Sequence, residues 1–205
     1  MRFREFESRI RALPAFNLND VRKLDPGFHR QQLNYWHNQG YIQPLAGGYY
    51  LLADQEMGEM VLFMVANKIY EPSYVSLESA LAYYKIIPET VLGVTSISSR
   101  KTKQYDSAWG VFSYRSVKPQ YMIGYHVIEN TPGIKFKIAY LEKAIIDYLY
   151  LNSKIQSIAD FEGLRWNRTQ LHDLLDHSVF TRYVKLFDKR ALENRVTQFL
   201  EYLNA

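Results

Sequence analysis

Apolar residues in the first part of the chain recur every three or four positions, which predicts short amphipathic helices. The first helix is expected to cover residues 3–13 and to end at Pro14. Its inner face is formed by Phe3, Phe6, Ile10 and Leu13. A second helix follows, with Asn17 as its N-cap and Asp20 as the partner residue in a capping box.

A third helix and a hairpin follow. Asp25 is a suitable N-cap and Pro26 favours the first helical position, so we expect a helix from here. It should run to about Gln39, with Gly40 as the residue that follows its end. The stretch "YIQPLAGGYYLL" then predicts two short strands around the turn Gly47-Gly48. Three helices followed by a hairpin is the order of a winged helix-turn-helix, which we assign to residues 1–54.

The third helix is predicted to present a polar face that suits the DNA major groove. On a helical wheel of 100° per residue, Leu33, Trp36 and His29 fall on the inner side, and Phe28 falls at a margin. The candidate base contacts are Arg30, Gln31, Gln32, Asn34 and Tyr35, with Gln43 on the hairpin. Asn and Gln can pair bidentately with adenine, and Arg can pair with guanine. The alternative is an ordinary solvated face on a small helical domain.

Residues 55–205 are predicted to form an α+β domain with an antiparallel sheet and C-terminal helices. An apolar helix over 55–69 should join the two domains, and Ser76 can cap the next helix, which ends at Pro88. The strand candidates are 91–98, 109–117, 121–128 and 134–139. The last part of the chain has the pattern of helices.

The composition of the chain limits which kinds of site and partner it can have. The chain has 205 residues, of which 47% are hydrophobic and 22% are charged, as expected for a globular protein. It has no Cys, and its five His lack metal-ligand spacing, so we expect no metal and no cofactor. No apolar run approaches the roughly 18 residues that span a membrane, which favours a cytoplasmic location and no membrane partner. The net charge of +4 is compatible with a nucleic-acid partner.

Positive charge is most concentrated in Arg100, Lys101 and Lys103, which we call the basic run. The predicted hairpin tip has no Lys or Arg. If the chain binds DNA, the attraction to phosphates must therefore come from this run or from cations of the first two helices. The cations of the first two helices are Arg2, Arg4, Arg9, Arg11, Arg22 and Lys23. The basic run has two other interpretations, a surface for a protein or RNA partner and a solvated charge cluster.

Several stretches resemble the AbiEi family of antitoxins. In the second domain these are "PSYVSLESALAYYKIIPE" (72–89), "VTSISSRKTKQY" (94–105), "GVFSYRSVKPQYMIGY" (110–125) and "YLEKAIIDYLYL" (140–151). In the first domain, "LNYWHNQGYIQPLAGGYYLL" (33–52) resembles the winged-helix end of that family. The resemblance implies a transcriptional autorepressor that binds its own operator. It also implies an antitoxin of a type IV toxin–antitoxin system in phage defence, acting against a nucleotidyltransferase-like toxin with or without direct contact.

Two alternatives remain open beside an antitoxin. A stand-alone winged-helix regulator would have the same sequence features, and a nucleic-acid-processing enzyme could use the winged helix for targeting. We expect no enzymatic activity. Glu142 and Asp147 are separated by about 140° around a helix, so they do not converge on one proton or metal. Ser73, His126 and Asp147 could be nominated as a Ser–His–Asp catalytic set, but the sequence has no G-x-S-x-G motif to support it.

Overall fold

The computed structural model describes residues 1–11, 13–88, 92–131 and 134–205. The helices are α1 (Phe3–Ile10), α2 (Leu18–Leu24), α3 (Gln31–Asn38), α4 (Glu59–Ile69), α5 (Leu77–Tyr83), α6 (Leu141–Leu151), α7 (Ile158–Gly163), α8 (Arg168–Leu174), α9 (His177–Phe187) and α10 (Arg190–Asn204). The strands are β1 (Phe16–Asn17), β2 (Ile42–Pro44), β3 (Tyr49–Leu52), β4 (Ser73–Val75), β5 (Gly93–Ser98), β6 (Lys103–Ser107), β7 (Gly110–Ser116), β8 (Tyr125–Thr131) and β9 (Ile134–Ala139). A short 3-10 helix covers Pro119–Tyr121.

The N-terminal part combines α1, α2 and α3 with a small antiparallel sheet in the order β1-β3-β2. Its own hydrophobic cluster draws on every one of these helices and on the sheet. The buried members are Phe6, Ile10, Phe16, Val21, Phe28, Leu33, Trp36, Ile42 and Leu52. Because all of these residues precede position 54, this part has a core that is separate from the larger one.

The second sheet has six strands in the order β6-β7-β5-β4-β9-β8. Three of its strand pairs are antiparallel, β6–β7, β4–β5 and β8–β9, whereas β5–β7 and β4–β9 are parallel. Helix α4 packs on β4, β5 and β9. Helices α9 and α10 pack on α6, and α7 and α8 pack on α10. The predicted α+β class is confirmed, with C-terminal helices and a sheet in which antiparallel pairs predominate.

The hairpin of β2 and β3 lies between the two hydrophobic clusters. Ile42 and Leu52 belong to the N-terminal cluster, whereas Leu45 and Leu51 are buried in the larger cluster with α4. Successive residues of a strand point to opposite faces, so adjacent Leu51 and Leu52 can serve different cores. The hairpin is therefore packed on both sides.

Four predicted helix boundaries were wrong or shifted. Helix α5 ends at Tyr83 instead of at Pro88. Helix α1 ends at Ile10, and Leu13 is 37% exposed instead of facing inward. Ala12, within the predicted helix, lies outside the described residues. Helix α4 begins at Glu59, with Gly58 at the N-cap position, instead of at 55.

The third helix begins at Gln31, not at Pro26. The N–H of Phe28 donates to the carbonyl of Asp25 at 3.0 Å, so these residues form a turn before the helix. The Phe28 side chain is only 2% exposed, while His29, predicted to face inward, is exposed. Burial of the larger apolar side chain thus outweighs the local preference of Asp-Pro for a helix start.

Four strand assignments also differ. Strand β5 begins at Gly93, and Val91, where that strand was predicted to begin, lies outside the described residues. The candidate 121–128 is divided, because a 3-10 helix precedes β8. The sequence pattern did not indicate β4 or β6, which are three and five residues long. Strands of this length give too few alternations to show a period of two.

Candidate nucleic-acid interface

The orientation of α3 is fixed by aromatic packing on its inner side. Trp36 stacks on Phe6 at 4.8 Å between ring centroids and contacts Phe28 at 5.0 Å. At the other end, the N–H of Tyr41 donates to the Trp36 carbonyl at 2.9 Å, and Gly40 adopts a φ of 71°. This is the Schellman ending that the glycine predicted. The outer face of α3 is therefore held in one direction.

The predicted base-contact residues of α3 are all at the surface. Gln31, Asn34 and Tyr35 are exposed, with Tyr35 58% exposed, and Gln32 is half-buried. Arg30 is exposed at the N-cap position, one residue before the helix. Within the described residues, none of these five side chains makes a hydrogen bond or an ion pair. Their donors and acceptors are available to an external ligand.

The hairpin tip is a tight glycine turn. Gly47 and Gly48 have φ of 60° and 83°, and the N–H of Tyr49 donates to the Ala46 carbonyl at 3.0 Å. A shallow hollow of 320 Å³ separates this tip from Arg30 and from the start of α2. Gln43 is exposed on β2, where its Nε2 donates to the Ala53 carbonyl at 3.5 Å. Arg30 and the hairpin tip thus border the same depression.

The hairpin tip also contacts the second domain. A β-carbon placed on Gly47 would lie 3.0 Å from Cγ2 of Ile69 and 3.8 Å from Cε1 of Tyr105. The Nζ of Lys103 lies 5.4 Å from the centroid of the Tyr105 ring. Lys103 and Tyr105 are two residues apart on β6 and so share one face, whereas Asp106 points to the other. A cation of the basic run is therefore close to the tip that has no charge of its own.

The rest of the basic run is fixed to Tyr70, the residue after α4. The Arg100 guanidinium lies 4.3 Å above the Tyr70 ring and donates to the Glu71 carbonyl at 3.0 Å. The Tyr70 hydroxyl donates to the Lys101 carbonyl at 2.8 Å. Arg100, Lys101 and Lys103 are exposed, and none forms an ion pair within the part of the chain that the structure describes. Their charges are not neutralised locally.

Lys103 is the first residue of β6, a strand that the sequence pattern did not indicate. Of the cations in the first two helices that could also contact phosphates, half are neutralised by ion pairs. The pairs are Arg9 with Glu5 at 2.8 Å, Arg11 with Glu7 and with Asp54 at 2.9 Å, and Lys23 with Asp20 at 3.3 Å. The basic run is therefore the stronger source of unpaired positive charge beside the hairpin.

A buried polar network in the second domain was missed by sequence reasoning. Lys143 and Asp147 on α6 are both 0% exposed and form an ion pair. The Lys143 Nζ also donates to the Tyr74 hydroxyl at 2.7 Å, and the hydroxyls of Tyr74 and Ser76 each donate to Asp147 at 2.9 Å. Burial lowers the pKa of Lys143, and Asp147 opposes that shift. Burial also raises the pKa of Tyr74, with the Asp147 charge as the next cause.

This network ties strand β4 to helix α6 and is closed to solvent. Ser76 occupies the N-cap position of α5 as predicted, but its hydroxyl bonds Asp147 and makes no cap hydrogen bond. The signal was present in the sequence, since Lys143 and Asp147 are four residues apart and share one face of an apolar helix.

The carboxylates considered for catalysis have other partners. Glu142 accepts the N–H of Asp176 at 2.9 Å, and Asp147 accepts from the network above. His126 packs edge-on against Tyr140, with ring centroids 4.3 Å apart. In residues 1–11, 13–88, 92–131 and 134–205, no group of three or more His, Asp or Glu is placed to hold a metal ion.

Across those ranges, no helix combines the length and apolarity needed to cross a membrane.

No family model matches the chain, and no curated protein matches it. The functional interpretation therefore depends on the geometry of the surface around α3 and on the sequence stretches that resemble the AbiEi family.

Proposed function

We propose that the protein is a sequence-specific DNA-binding transcriptional regulator whose N-terminal part is a winged helix-turn-helix. The observation that carries this proposal is the outer face of α3, where Gln31, Asn34 and Tyr35 are exposed and without hydrogen-bond partners among the described residues. Side chains of this kind, held on a rigid helix, can read base edges in the major groove.

In this proposal α3 is the recognition helix and the hairpin is the wing. Gln31 and Asn34 are three residues apart and lie on one face, so both can contact bases in one groove. Arg30 borders the hollow between α3 and the hairpin tip, where it can contact a base or a phosphate. Tyr35 is 58% exposed, and its hydroxyl can be a further donor to the phosphate backbone.

The basic run supplies the phosphate contacts that the wing lacks. Lys103 stands over Tyr105, which lies beside the wing tip, and Arg100 and Lys101 directly precede this strand. DNA that lies along the wing would therefore meet cations of the second domain. Phosphate contacts give most of the non-specific affinity and make it dependent on salt.

We further propose that the regulator is the antitoxin of a type IV toxin–antitoxin system, opposing a nucleotidyltransferase-like toxin. The support is the resemblance of five stretches to AbiEi antitoxins, which cover both domains in order. The N-terminal part would repress the operon, and residues 55–205 would counteract the toxin. A stand-alone regulator of the same build remains the alternative, since the DNA-binding surface would be identical.

A mobility-shift assay tests the DNA-binding proposal. The full chain should bind the DNA upstream of its own gene more tightly than a random duplex of the same length and composition. Equal affinity for the two duplexes at several salt concentrations would overturn sequence-specific recognition, because phosphate contacts alone do not distinguish sequences.

Growth assays test the antitoxin proposal separately. The neighbouring gene in the same operon would be expressed alone, with the full chain, and with residues 55–205. We expect arrest of growth in the first case and protection in the other two. A neighbouring gene that causes no arrest, or an arrest that the full chain does not relieve, would favour the stand-alone regulator.

A further inference from the structure

A hollow between α10 and the loop that follows α6 is lined mainly by neutral polar side chains. Its volume is 440 Å³, within the range of about 300–1,000 Å³ that is usual for small-molecule sites. The lining residues are Gln156, Ala191, Asn194, Arg195, Thr197 and Gln198. Among these six, Arg195 alone carries a charge, and none of the six belongs to the proposed DNA-binding surface.

The guanidinium of Arg195 is buried, but only one of its three nitrogens is bonded. Arg195 is 9% exposed, and its Nε donates to the carbonyl of Leu149, in the last turn of α6, at 2.8 Å. A guanidinium has five N–H donors, so four remain on the two Nη atoms. Among the described residues, these four make no hydrogen bond and no ion pair. Capping of α6 therefore accounts for Nε and leaves the Nη atoms without a role.

The two Nη atoms of Arg195 open into the hollow. In the described parts of the chain, the side-chain atoms that are both sealed from solvent and unpaired are Asn67 Nδ2, Ser73 Oγ and Ser96 Oγ. The Nη atoms are unpaired but are not among these, so each keeps contact with solvent. Because Arg195 lines the hollow, this contact is on the hollow side. Two neighbouring N–H groups can there bind one carboxylate in parallel.

The charge at the Nη atoms favours a ligand with one negative charge. Burial lowers the pKa of Arg195, and no acid opposes that shift, although a buried charge without a partner is unfavourable. Asp160 accepts the N–H of Gln156, and it does not line the hollow. Glu201, which Gln198 bonds, does not line it either. One cation is compensated by one carboxylate, whereas a phosphate dianion would leave excess negative charge.

The rest of the lining supplies hydrogen-bond acceptors. The Nε2 of Gln198 donates to Glu201 at 2.9 Å, and the Nε2 of Gln156 donates to a carbonyl of its own loop at 2.9 Å. The Oε1 atoms of both side chains are left as acceptors. The Thr197 hydroxyl donates to a carbonyl one turn earlier at 3.1 Å and can also accept a bond. Acceptors beside a guanidinium suit an acid that carries hydroxyl donors.

We propose that this hollow binds a small hydroxy acid. Its carboxylate takes the paired N–H groups of the Arg195 Nη atoms, and its hydroxyl donates to an oxygen of Gln156, Thr197 or Gln198. The planar guanidinium fits a carboxylate in two parallel bonds, and its position is fixed by the Leu149 carbonyl. The site is separate from the proposed DNA-binding surface and adds a ligand to the second domain.

The test is an NMR titration of the full chain with glycolate, acetate and inorganic phosphate, against sodium chloride at equal ionic strength. The readouts are the Nε–H resonance of Arg195 and the backbone amide of Gln198. We expect saturable shifts with glycolate and none with chloride. Glycolate should bind severalfold more tightly than acetate, because it has one more hydroxyl donor, and more tightly than phosphate.

Matched variants assign the effect to the hollow. Ala191→Glu, at an exposed position in the first turn of α10, places a carboxylate four residues before Arg195. This internal carboxylate should occupy the guanidinium and abolish glycolate binding. The control Ala108→Glu adds the same charge at an exposed turn between β6 and β7 and should bind as the parent does. Arg195→Lys keeps the charge but loses the paired donors, so binding should weaken tenfold or more.

Three results would overturn the proposal. The absence of any shift beyond that caused by chloride would mean that Arg195 only caps α6. Glycolate binding no tighter than that of acetate or of phosphate would reject a hydroxy acid as the ligand. Parental affinity in Ala191→Glu would mean that the acid binds adventitiously elsewhere. Should Arg195→Lys fail to fold, Ala191→Glu still decides, because its side chain is at the surface. The assay contains no DNA, so its outcome is independent of the proposed DNA-binding function.

Discussion

Neutralising the basic run should lower the salt dependence of DNA binding without changing sequence preference. The variant Arg100→Gln/Lys101→Gln/Lys103→Gln removes three charges that are exposed and make no ion pair among the described residues. Each phosphate contact contributes about 0.9 to the slope of log affinity against log salt. Three lost contacts therefore reduce the magnitude of the slope by about 2.7, provided that each cation meets one phosphate.

The assay is fluorescence anisotropy with labelled upstream DNA over a fourfold range of salt. A slope difference of about 2.7 corresponds to roughly a 40-fold smaller loss of affinity across that range for the variant. The control Lys154→Gln/Lys185→Gln/Arg190→Gln removes the same charge from exposed positions away from the hairpin. A variant slope equal to that of the parent, or a control slope reduced as much, would refute the placement of DNA along this run.

Other predictions concern stability and domain packing. Lys143→Met should cost about 3–5 kcal/mol in urea unfolding because it leaves Asp147 buried without its cation, and adding Asp147→Leu should recover most of the loss. A single variant as stable as the parent would contradict the network. Burial raises the pKa of Tyr84 and Tyr114, so above about pH 10 the unfolded chain loses these protons first and the free energy of unfolding should fall. Replacing both tyrosines by Phe should move that loss of stability to higher pH, as measured by circular dichroism. An unchanged dependence of stability on pH would exclude ionisation of these tyrosines as the cause. Limited proteolysis should be slow over residues 54–70, because α4 is largely buried, and rapid cutting there would indicate a loosely attached N-terminal part.

Local backbone signals predicted several features correctly. The capping box of Asn17 and Asp20 forms as expected, and Gly40 ends α3 with positive φ. Each depends on residues only a few positions apart, so the sequence contains the whole interaction. The start of α3 depends instead on where Phe28 is buried, which only the assembled core decides. The Asp-Pro signal was overridden there for that reason.

The candidate interface was predicted in part. Helical spacing placed Gln31, Asn34 and Tyr35 on the exposed face of α3, as the structure has them. It gave no indication that the basic run lies beside the hairpin tip, since Gly47 and Tyr105 are far apart in sequence and meet only through packing of the hairpin on the second domain. Long-range contacts of this kind have no periodic signature in the sequence.

The central claim is that α3 reads DNA sequence, and the double variant Gln31→Ala/Asn34→Ala tests it most directly. The affinity of the full chain for its upstream DNA would be compared with that for a random duplex, at one salt concentration. Two lost bidentate contacts predict a loss of about 2–6 kcal/mol for the upstream DNA, with little change for the random duplex. The control Gln120→Ala/Asn194→Ala removes the same side chains from exposed positions in the second domain and should leave both affinities unchanged. Parental affinity of the double variant for the upstream DNA would contradict the assignment of α3 as the recognition helix.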